Sequence, residues 1–367
     1  MKVLFITHLR EQSDWSETAI DYIMAMKAAG IDVVVRDVCV NPAYRTAKVP
    51  MGIIALEKKP IEGCDVCIQN VLPHLVCYSG NFKKNIAMFS VESSSLRESF
   101  WFKPLELMDE IWVNNNELRN NLIEDGIDSK VRFIPPPSNT DWLTSQSELF
   151  NDDSFKFYYI GDMLDIDNLS SLLKCFHSEF NVEEPVSLVI HPITTVPPEQ
   201  RNSAIDSLSQ QIKSFLRMYP QPEMYKKEMV ISQELNREGL LSLHKTCDCF
   251  VSTSHGNSWS RPAFEAMAFG NTPIVGKSMG NLDFITNSLD TGVLVEGSYD
   301  VCANSTPSFP DLQTGKDTWF SVSESEFRKW MRHYYNNREK INRSTGLERA
   351  KDFSYNNIGN IIKEILE

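Results

Sequence analysis

No apolar run in this chain approaches the roughly 20 residues a helix needs to cross a bilayer, so no integral membrane contact is expected. The N-terminus enters Val3-Leu4-Phe5-Ile6 at once. That run is too short for a signal-peptide core and has no small-residue cleavage site after it; a cytoplasmic protein is expected. Basic residues are in the minority, 36 Lys and Arg against 49 Asp and Glu, for a net charge of -13. Non-specific affinity for nucleic acid comes mostly from phosphate neutralisation, so this balance disfavours DNA, RNA and anionic membranes as partners, without excluding a local basic cleft. Gly-x-Ser-x-Gly, Walker and His-Glu-x-x-His motifs are absent. Cys64-x-x-Cys67 has no second pair at matching spacing, and Cys67 sits in the strand-like Val66-Cys67-Ile68. Buried free thiols are therefore expected, and no metal site. Glycine is missing from the run after the first apolar segment, Thr7 to Ser16.

Apolar strand-like runs do alternate with amphipathic helical stretches through both halves, which predicts stacked β-α units and parallel sheets. Strands are expected near 3–7, 32–38, 65–69, 86–90, 110–113 and 131–134, then near 156–160, 186–190, 228–231, 248–252, 273–275 and 292–295. Pro135-Pro136-Pro137 and the polar stretch 138–153 mark a boundary, since three prolines continue neither a helix nor a central strand. The expected domains are 1–150 and 151–345, followed by a terminal segment 346–367. Asp14–Gly30, Glu324–Asn337 and Tyr355–Leu366 read as helices, and Val301–Thr318 as a loop. In such α/β sheets ligands bind beyond the carboxyl ends of the strands.

The most informative stretch is 252–270. Cys249-Phe250-Val251 runs into small polar residues, Pro262 opens an Ala/Met/Phe-rich helix from Ala263 to Phe269, and Gly270 can supply a left-handed cap. A strand, a small-residue loop and a helix N-terminus together favour an anion, because free N–H groups and the positive end of the helix dipole face the loop. Glu265 is the one charge inside that helix. It is either a hydroxyl acceptor or a solvent-facing helix residue.

Asn257-Ser258-Trp259-Ser260-Arg261-Pro262-Ala263-Phe264-Glu265-Ala266-Met267-Ala268-Phe269-Gly270-Asn271-Thr272-Pro273-Ile274-Val275 resembles, without a gap, the donor signature of retaining GT-B glycosyltransferases of the glycogen-synthase-like group often called family 4. That signature carries two glutamates separated by seven residues. Glu265 is the second; the first is Asn257. Ala87 to Ser93, the Asp109-Glu110-Ile111-Trp112-Val113 strand, Lys130 to Pro137 and Phe157-Tyr158-Tyr159-Ile160-Gly161 resemble further pieces of the family in the same order, to about Gly297. The resemblance implies a GT-B α/β fold: two Rossmann-like, doubly wound domains facing across a cleft, the first on the acceptor side and the second binding the nucleotide sugar. It also implies a C-terminal helix crossing back to the first domain. No cofactor is implied; a nucleotide diphosphate sugar is the co-substrate, no metal takes part, and the acceptor (glycan, small molecule or macromolecule) is unspecified.

Carried over residue by residue, Glu265 would accept ribose hydroxyls, and Ser258, Trp259, Ser260 and Arg261 would line the diphosphate and sugar. Gly161 would close the first strand of the donor domain. Asn257, His255 and Glu92 are the candidates nearest the chemistry, with Glu92 alternatively capping a helix at Ser93-Ser94-Ser95. His8 and Arg10, after the first strand, are donor-side candidates, His8 weighed against a structural role. The family's basic pair after Gly161 is replaced by Asp162, Asp165 and Asp167; Arg261, then Lys277 and Arg10, are the substitutes by position. These departures leave a non-catalytic binding or scaffold subunit as the alternative, with a DNA-base glycosyltransferase and an epimerase behind it.

Overall fold

The computed structural model describes residues 1–11, 13–39, 48–127, 130–139, 149–150, 153–194, 196–286, 290–302, 312, 315–340 and 343–367. Along the chain the strands are β1 (Lys2–Thr7), β2 (Asp32–Asp37), β3 (Val66–Asn70), β4 (Lys84–Phe89), β5 (Glu110–Val113), β6 (Val131–Phe133), β7 (Phe155–Gly161), β8 (Val186–Pro192), β9 (Met229–Val230), β10 (Cys249–Phe250), β11 (Ile274–Gly276), β12 (Val293–Val295), β13 (Gly297–Val301) and β14 (Thr318–Val322). The helices are α1 (Asp14–Ala28), α2 (Met51–Glu57), α3 (Lys103–Glu106), α4 (Asn116–Glu124), α5 (Leu169–Glu179), α6 (Pro198–Leu216), α7 (Arg237–Thr246), α8 (Arg261–Phe269), α9 (Asn281–Phe284), α10 (Glu324–Asn337), α11 (Ser344–Lys351) and α12 (Tyr355–Leu366). The chain divides into two compact units: residues 1–139, 301–318 and 351–367 form the first, and residues 140–300 and 319–350 the second.

In the first unit six strands pair in the order β2-β1-β3-β4-β5-β6, every pair parallel. Strands buried on both faces read as continuous apolar runs rather than as alternation, which is why Val33-Val34-Val35 and Ile86-Ala87-Met88-Phe89 mark them so clearly. Ser13 caps α1, accepting from Ser16 N. α12 lies against α1, where a Cβ on Gly359 would stand 2.1 Å from Ala25 O. Only glycine allows the two backbones that close. The strand order reverses at β1, between β2 and β3.

In the second unit β10-β7-β8-β9 form a parallel sheet, and the β11-β12 pair joins its edge through the parallel bridge Val251 to Ile274. The core gathers Phe157, Leu172, Phe176, Leu188, Ile190, Val251, Ile274 and Phe327. Here the order reverses at β7, between β8 and β10. The loops leaving β7 and β10 therefore flank the crevice where such sheets bind ligands. The expected 301–318 loop and much of the 138–153 boundary lie outside the described residues. The described ends of 301–318 are strands, β13 and β14, whose Tyr299, Val301, Trp319 and Phe320 suit a pleated surface. All eight cysteines are free; Cys64 and Cys67 are buried thiols.

Candidate functional site

α8 starts two residues before Ala263. Ser260 takes the cap position, its Oγ accepting from Ala263 N at 3.4 Å, so Arg261 and Pro262 form the first turn. Gly270 closes the helix at φ 78°, the left-handed cap. Glu265 projects inward from this helix and is 4% exposed, which rules out the solvent-facing alternative.

Three groups meet its carboxylate. Arg237, the first residue of α7, donates through both ends of its guanidinium: Nη1 to Oε2 at 2.9 Å and Nη2 to Oε1 at 2.6 Å. His244 Nε2 stands 3.4 Å from Oε2, and Arg261 Nη1 lies 3.7 Å from Oε1. His244 Nδ1 is 2.7 Å from the Tyr158 hydroxyl, which in turn accepts from Asn271 Nδ2 at 3.1 Å. A neutral imidazole protonated on Nε2 satisfies both neighbours, accepting from Tyr158 and donating toward Glu265. Burial pushes the His244 pKa down and so keeps the ring neutral. For Glu265, burial alone pushes the pKa up, but Arg237, His244 and Arg261 together outweigh it and hold the carboxyl well below its usual range. The result is an ionised carboxylate behind the loop that precedes α8. The guanidinium engages one lone pair on each oxygen and His244 a second on Oε2, so Oε1 keeps the larger remaining acceptor capacity.

The loop before α8 is tightly seated. Ser258 and Ser260 are buried; Asn257 and Trp259 are half-buried. Gly280 N donates to Asn257 O at 3.3 Å, and a Cβ on Gly280 would stand 2.3 Å from Ser258 O. The Trp259 ring packs on Phe284 and Phe264, with centroids 5.1 and 5.8 Å away, so its side chain anchors the loop. Next to Gly280, buried Asn281 donates to Gly276 O and leaves Oδ1 without a protein partner. His255 stacks on Trp319 with centroids 4.1 Å apart and its Nδ1 2.9 Å from Phe320 O; burial lowers its pKa. His255 is thus fixed in orientation and lines, with Lys174, Asp300 and Ser321, an open cavity of 680 Å³.

The acidic loop after β7 is laced to the loop after β10. Ser254 Oγ and His255 N donate to Ile166 O at 3.0 and 2.8 Å, Thr253 Oγ1 to Asn168 O at 2.8 Å, and Asn168 Nδ2 to Thr253 O at 3.2 Å. Asp162 is half-buried, and burial raises its pKa. Gly161 has a structural reason to be glycine: a Cβ there would meet the Tyr159 hydroxyl at 2.4 Å.

In the first unit the two donor-side candidates are engaged by neighbours. Arg10 is clamped between acids, Nη1 to Asp37 Oδ2 at 2.7 Å and Nη2 to Glu57 Oε2 at 2.6 Å, so its charge is already matched within its own unit. His8 is buried, with Nδ1 3.0 Å from Val38 O and its ring edge-on to Trp15. Glu92 follows β4 and is half-buried, but the serines after it cap no helix. Ser93 Oγ donates to Asp317 Oδ1 at 2.8 Å, and Ser95 Oγ to Asp125 Oδ1 at 2.6 Å.

Arg237 and His244 were not singled out by the sequence. Asn236 before Arg237 is a legible cap, yet nothing in the spacing sets position 237 against 265, because the contact is made by packing α7 on α8. Among the described residues no group of three or more His, Cys, Asp or Glu is arranged to hold a metal. No described helix is long and apolar enough to cross a membrane.

Residues 141–304 match the family described as Glycosyl transferases group 1. No curated protein sequence matches the chain significantly. Among solved structures, the chain is similar over 100% of its length to Anabaena HepE in complex with UDP-glucose, covering 99% of that protein at 12% identity and a TM-score of 0.67. Sucrose-phosphate synthase from Thermosynechococcus elongatus matches over 100% of this chain and 98% of its own, at 13% identity and a TM-score of 0.65. The lipopolysaccharide outer core galactosyltransferase WaaB, in its apo form, matches over 100% and 99%, at 12% identity and 0.64. The fold is GT-B, α/β with parallel sheets, and the match to glycosyl transferases group 1 falls largely in the second unit.

Proposed function

We propose that this chain is a glycosyltransferase, moving a sugar from a nucleotide diphosphate donor to an acceptor with retention of configuration and without a metal. The observation that carries the reading is Glu265: a buried, ionised carboxylate set in the helix behind a loop of small, tightly held residues, at the crevice where the sheet order reverses. A carboxylate of this kind accepts two vicinal hydroxyls of a ribose, each charge-assisted bond contributing about 1.5–3 kcal/mol. The backbone of 257–260 and the N-terminus of α8 face the diphosphate, and Arg261 in the first turn adds a cation. Asn257 and His255 orient the donor sugar, Glu92 the acceptor, and the first unit holds that acceptor. The acceptor attacks on the face the sugar leaves, the departing phosphate takes the proton, and the protein stabilises the growing charge. UDP-glucose bound to HepE, a protein of similar fold, makes a uridine diphosphate sugar the first donor to test.

Titration with UDP-, GDP-, ADP- and CDP-sugars tests the reading. One donor should bind saturably and lose affinity in Glu265→Ala, whereas no heat from any of them contradicts it. The acidic 162–167 loop favours a second reading, a non-catalytic binding subunit on the same scaffold. Release of nucleotide diphosphate from the bound donor, by transfer or by slow hydrolysis, separates the two.

A further inference from the structure

Glu265 is usable as an acceptor only if it stays charged in a site that offers it almost no water. A fully buried carboxyl without a partner takes up a proton instead of remaining ionised. Position 237 answers that requirement with two parallel N–H bonds at 2.9 and 2.6 Å, one to each carboxylate oxygen. The other groups facing Glu265 do not replace it. His244, from the same α7, is a neutral donor at 3.4 Å whose other nitrogen is committed to Tyr158 of β7. Arg261, on the carboxylate's own helix, approaches one oxygen at 3.7 Å, beyond hydrogen-bond distance. Arg237 alone makes the paired contact that fixes the plane of the carboxylate as well as its charge. Its side chain is 34% exposed against 5% for that of Glu265, so the guanidinium keeps part of its hydration while neutralising a group that has none.

We propose that Arg237 is a positioning residue for donor binding, holding Glu265 charged and planar so that its outward lone pairs accept the ribose hydroxyls of a nucleotide sugar. This rests on the ribose role given to Glu265 above. Arg237 takes one lone pair on each oxygen and His244 a second on Oε2, so the acceptor capacity left for a ribose hydroxyl is greatest at Oε1. Without Arg237 the carboxyl becomes a neutral acid that donates one proton and no longer offers a charged acceptor. Nucleotide-sugar affinity of the variant then gains a pH dependence from this carboxyl.

The test compares the native protein with Arg237→Leu and Arg237→Lys by calorimetry, using the nucleotide sugar that the native protein binds best, whose diphosphate has no ionisation in the window, between about pH 6 and about pH 9. Native affinity should be flat across that window, because the Glu265 carboxyl stays ionised and His244 stays neutral. Arg237→Leu should bind at least about tenfold more weakly at the low end and recover most of that loss at the high end. Arg237→Lys, which restores the charge but not the fork, should fall between the two. In parallel, difference infrared spectra of Arg237→Leu against Arg237→Leu/Glu265→Gln should show a protonated carboxyl band at low pH that disappears as pH rises. That readout needs no nucleotide. An affinity loss of the same size at every pH, with no protonated carboxyl band, would reduce Arg237 to a packing role and overturn the inference while leaving the ribose role intact. A protonated band in Arg237→Leu with no change in nucleotide affinity would instead remove Glu265 from the donor site and overturn both.

Discussion

After β1, Arg10 reaches Asp37 and Glu57 at 2.7 and 2.6 Å; behind the loop that follows β10, Glu265 is reached by Arg237 at 2.6 and 2.9 Å. Each unit has its own parallel, doubly wound sheet; Arg10 follows β1, where the first order reverses, and Glu265 lies in the helix after β10, the neighbour of β7, where the second reverses. Their polarity is opposite. The first unit surrounds a cation with acids, which raises the Arg10 pKa chiefly through the hydrogen bond to Glu57 and ties the loop after β1 to its own unit. The second surrounds an acid with cations, keeping a carboxylate ionised where water is nearly excluded. One arrangement fixes a loop; the other prepares an acceptor. The same architecture therefore does not imply the same job at its strand ends.

The comparison breaks if the two charges behave alike. Glu265→Ala should weaken nucleotide binding by about a hundredfold, from two charge-assisted bonds of about 1.5–3 kcal/mol each. Arg10→Ala should lower the melting temperature but leave calorimetric affinity within about twofold. Equal losses of affinity in both would return Arg10 to the donor site. Next in size is Gly280→Ala. Its Cβ would press on Ser258 O, and relieving that overlap costs about 1–3 kcal/mol, expected as roughly tenfold weaker nucleotide binding in the same titration.

A smaller effect is expected where the second unit lacks cations. Asp167→Lys restores a base to the loop after β7 and should tighten diphosphate binding about threefold to tenfold, the value of a charge pair near a protein surface being about 1 kcal/mol or somewhat more. A non-catalytic subunit that holds no diphosphate would show no gain. The smallest effect concerns pH. His244 has a folded-state pKa below the ordinary 6.5, so under acid conditions the unfolded chain binds the additional proton. Its contribution to stability is therefore intact above 6.5 and declines as pH falls below it. The slope for one group is at most about 1.4 kcal/mol per pH unit. Urea titrations from neutral to mildly acid pH should show the decline, and His244→Gln should flatten it.

Most of the framework could be read from the sequence, because fully buried parallel strands are written as unbroken apolar runs. β1 to β12 fall where those runs lie, and the Ser260-to-Gly270 helix is bracketed by its own cap residues. β13 and β14 were missed, since the Asn, Ser, Pro and Gly between them read as loop and hid the aromatic pairs at the edges. At the site, Glu265 could be found from one charge in an apolar helix. Arg237 could not: its partner is 28 residues away on another helix, and no local period records that pairing. The partners of Arg10 were hidden for the related reason that a cation after a strand looks available until Asp37 and Glu57 are folded against it.

The most direct measurement is the affinity of the native protein and of Glu265→Ala for a nucleoside diphosphate and for its 2′,3′-dideoxy analogue. If Glu265 accepts the ribose hydroxyls, the native protein loses at least about tenfold in affinity when they are removed, and Glu265→Ala binds the two ligands equally. If the native protein binds both alike, Glu265 does not grip the ribose, and the donor site assigned to the second unit is wrong.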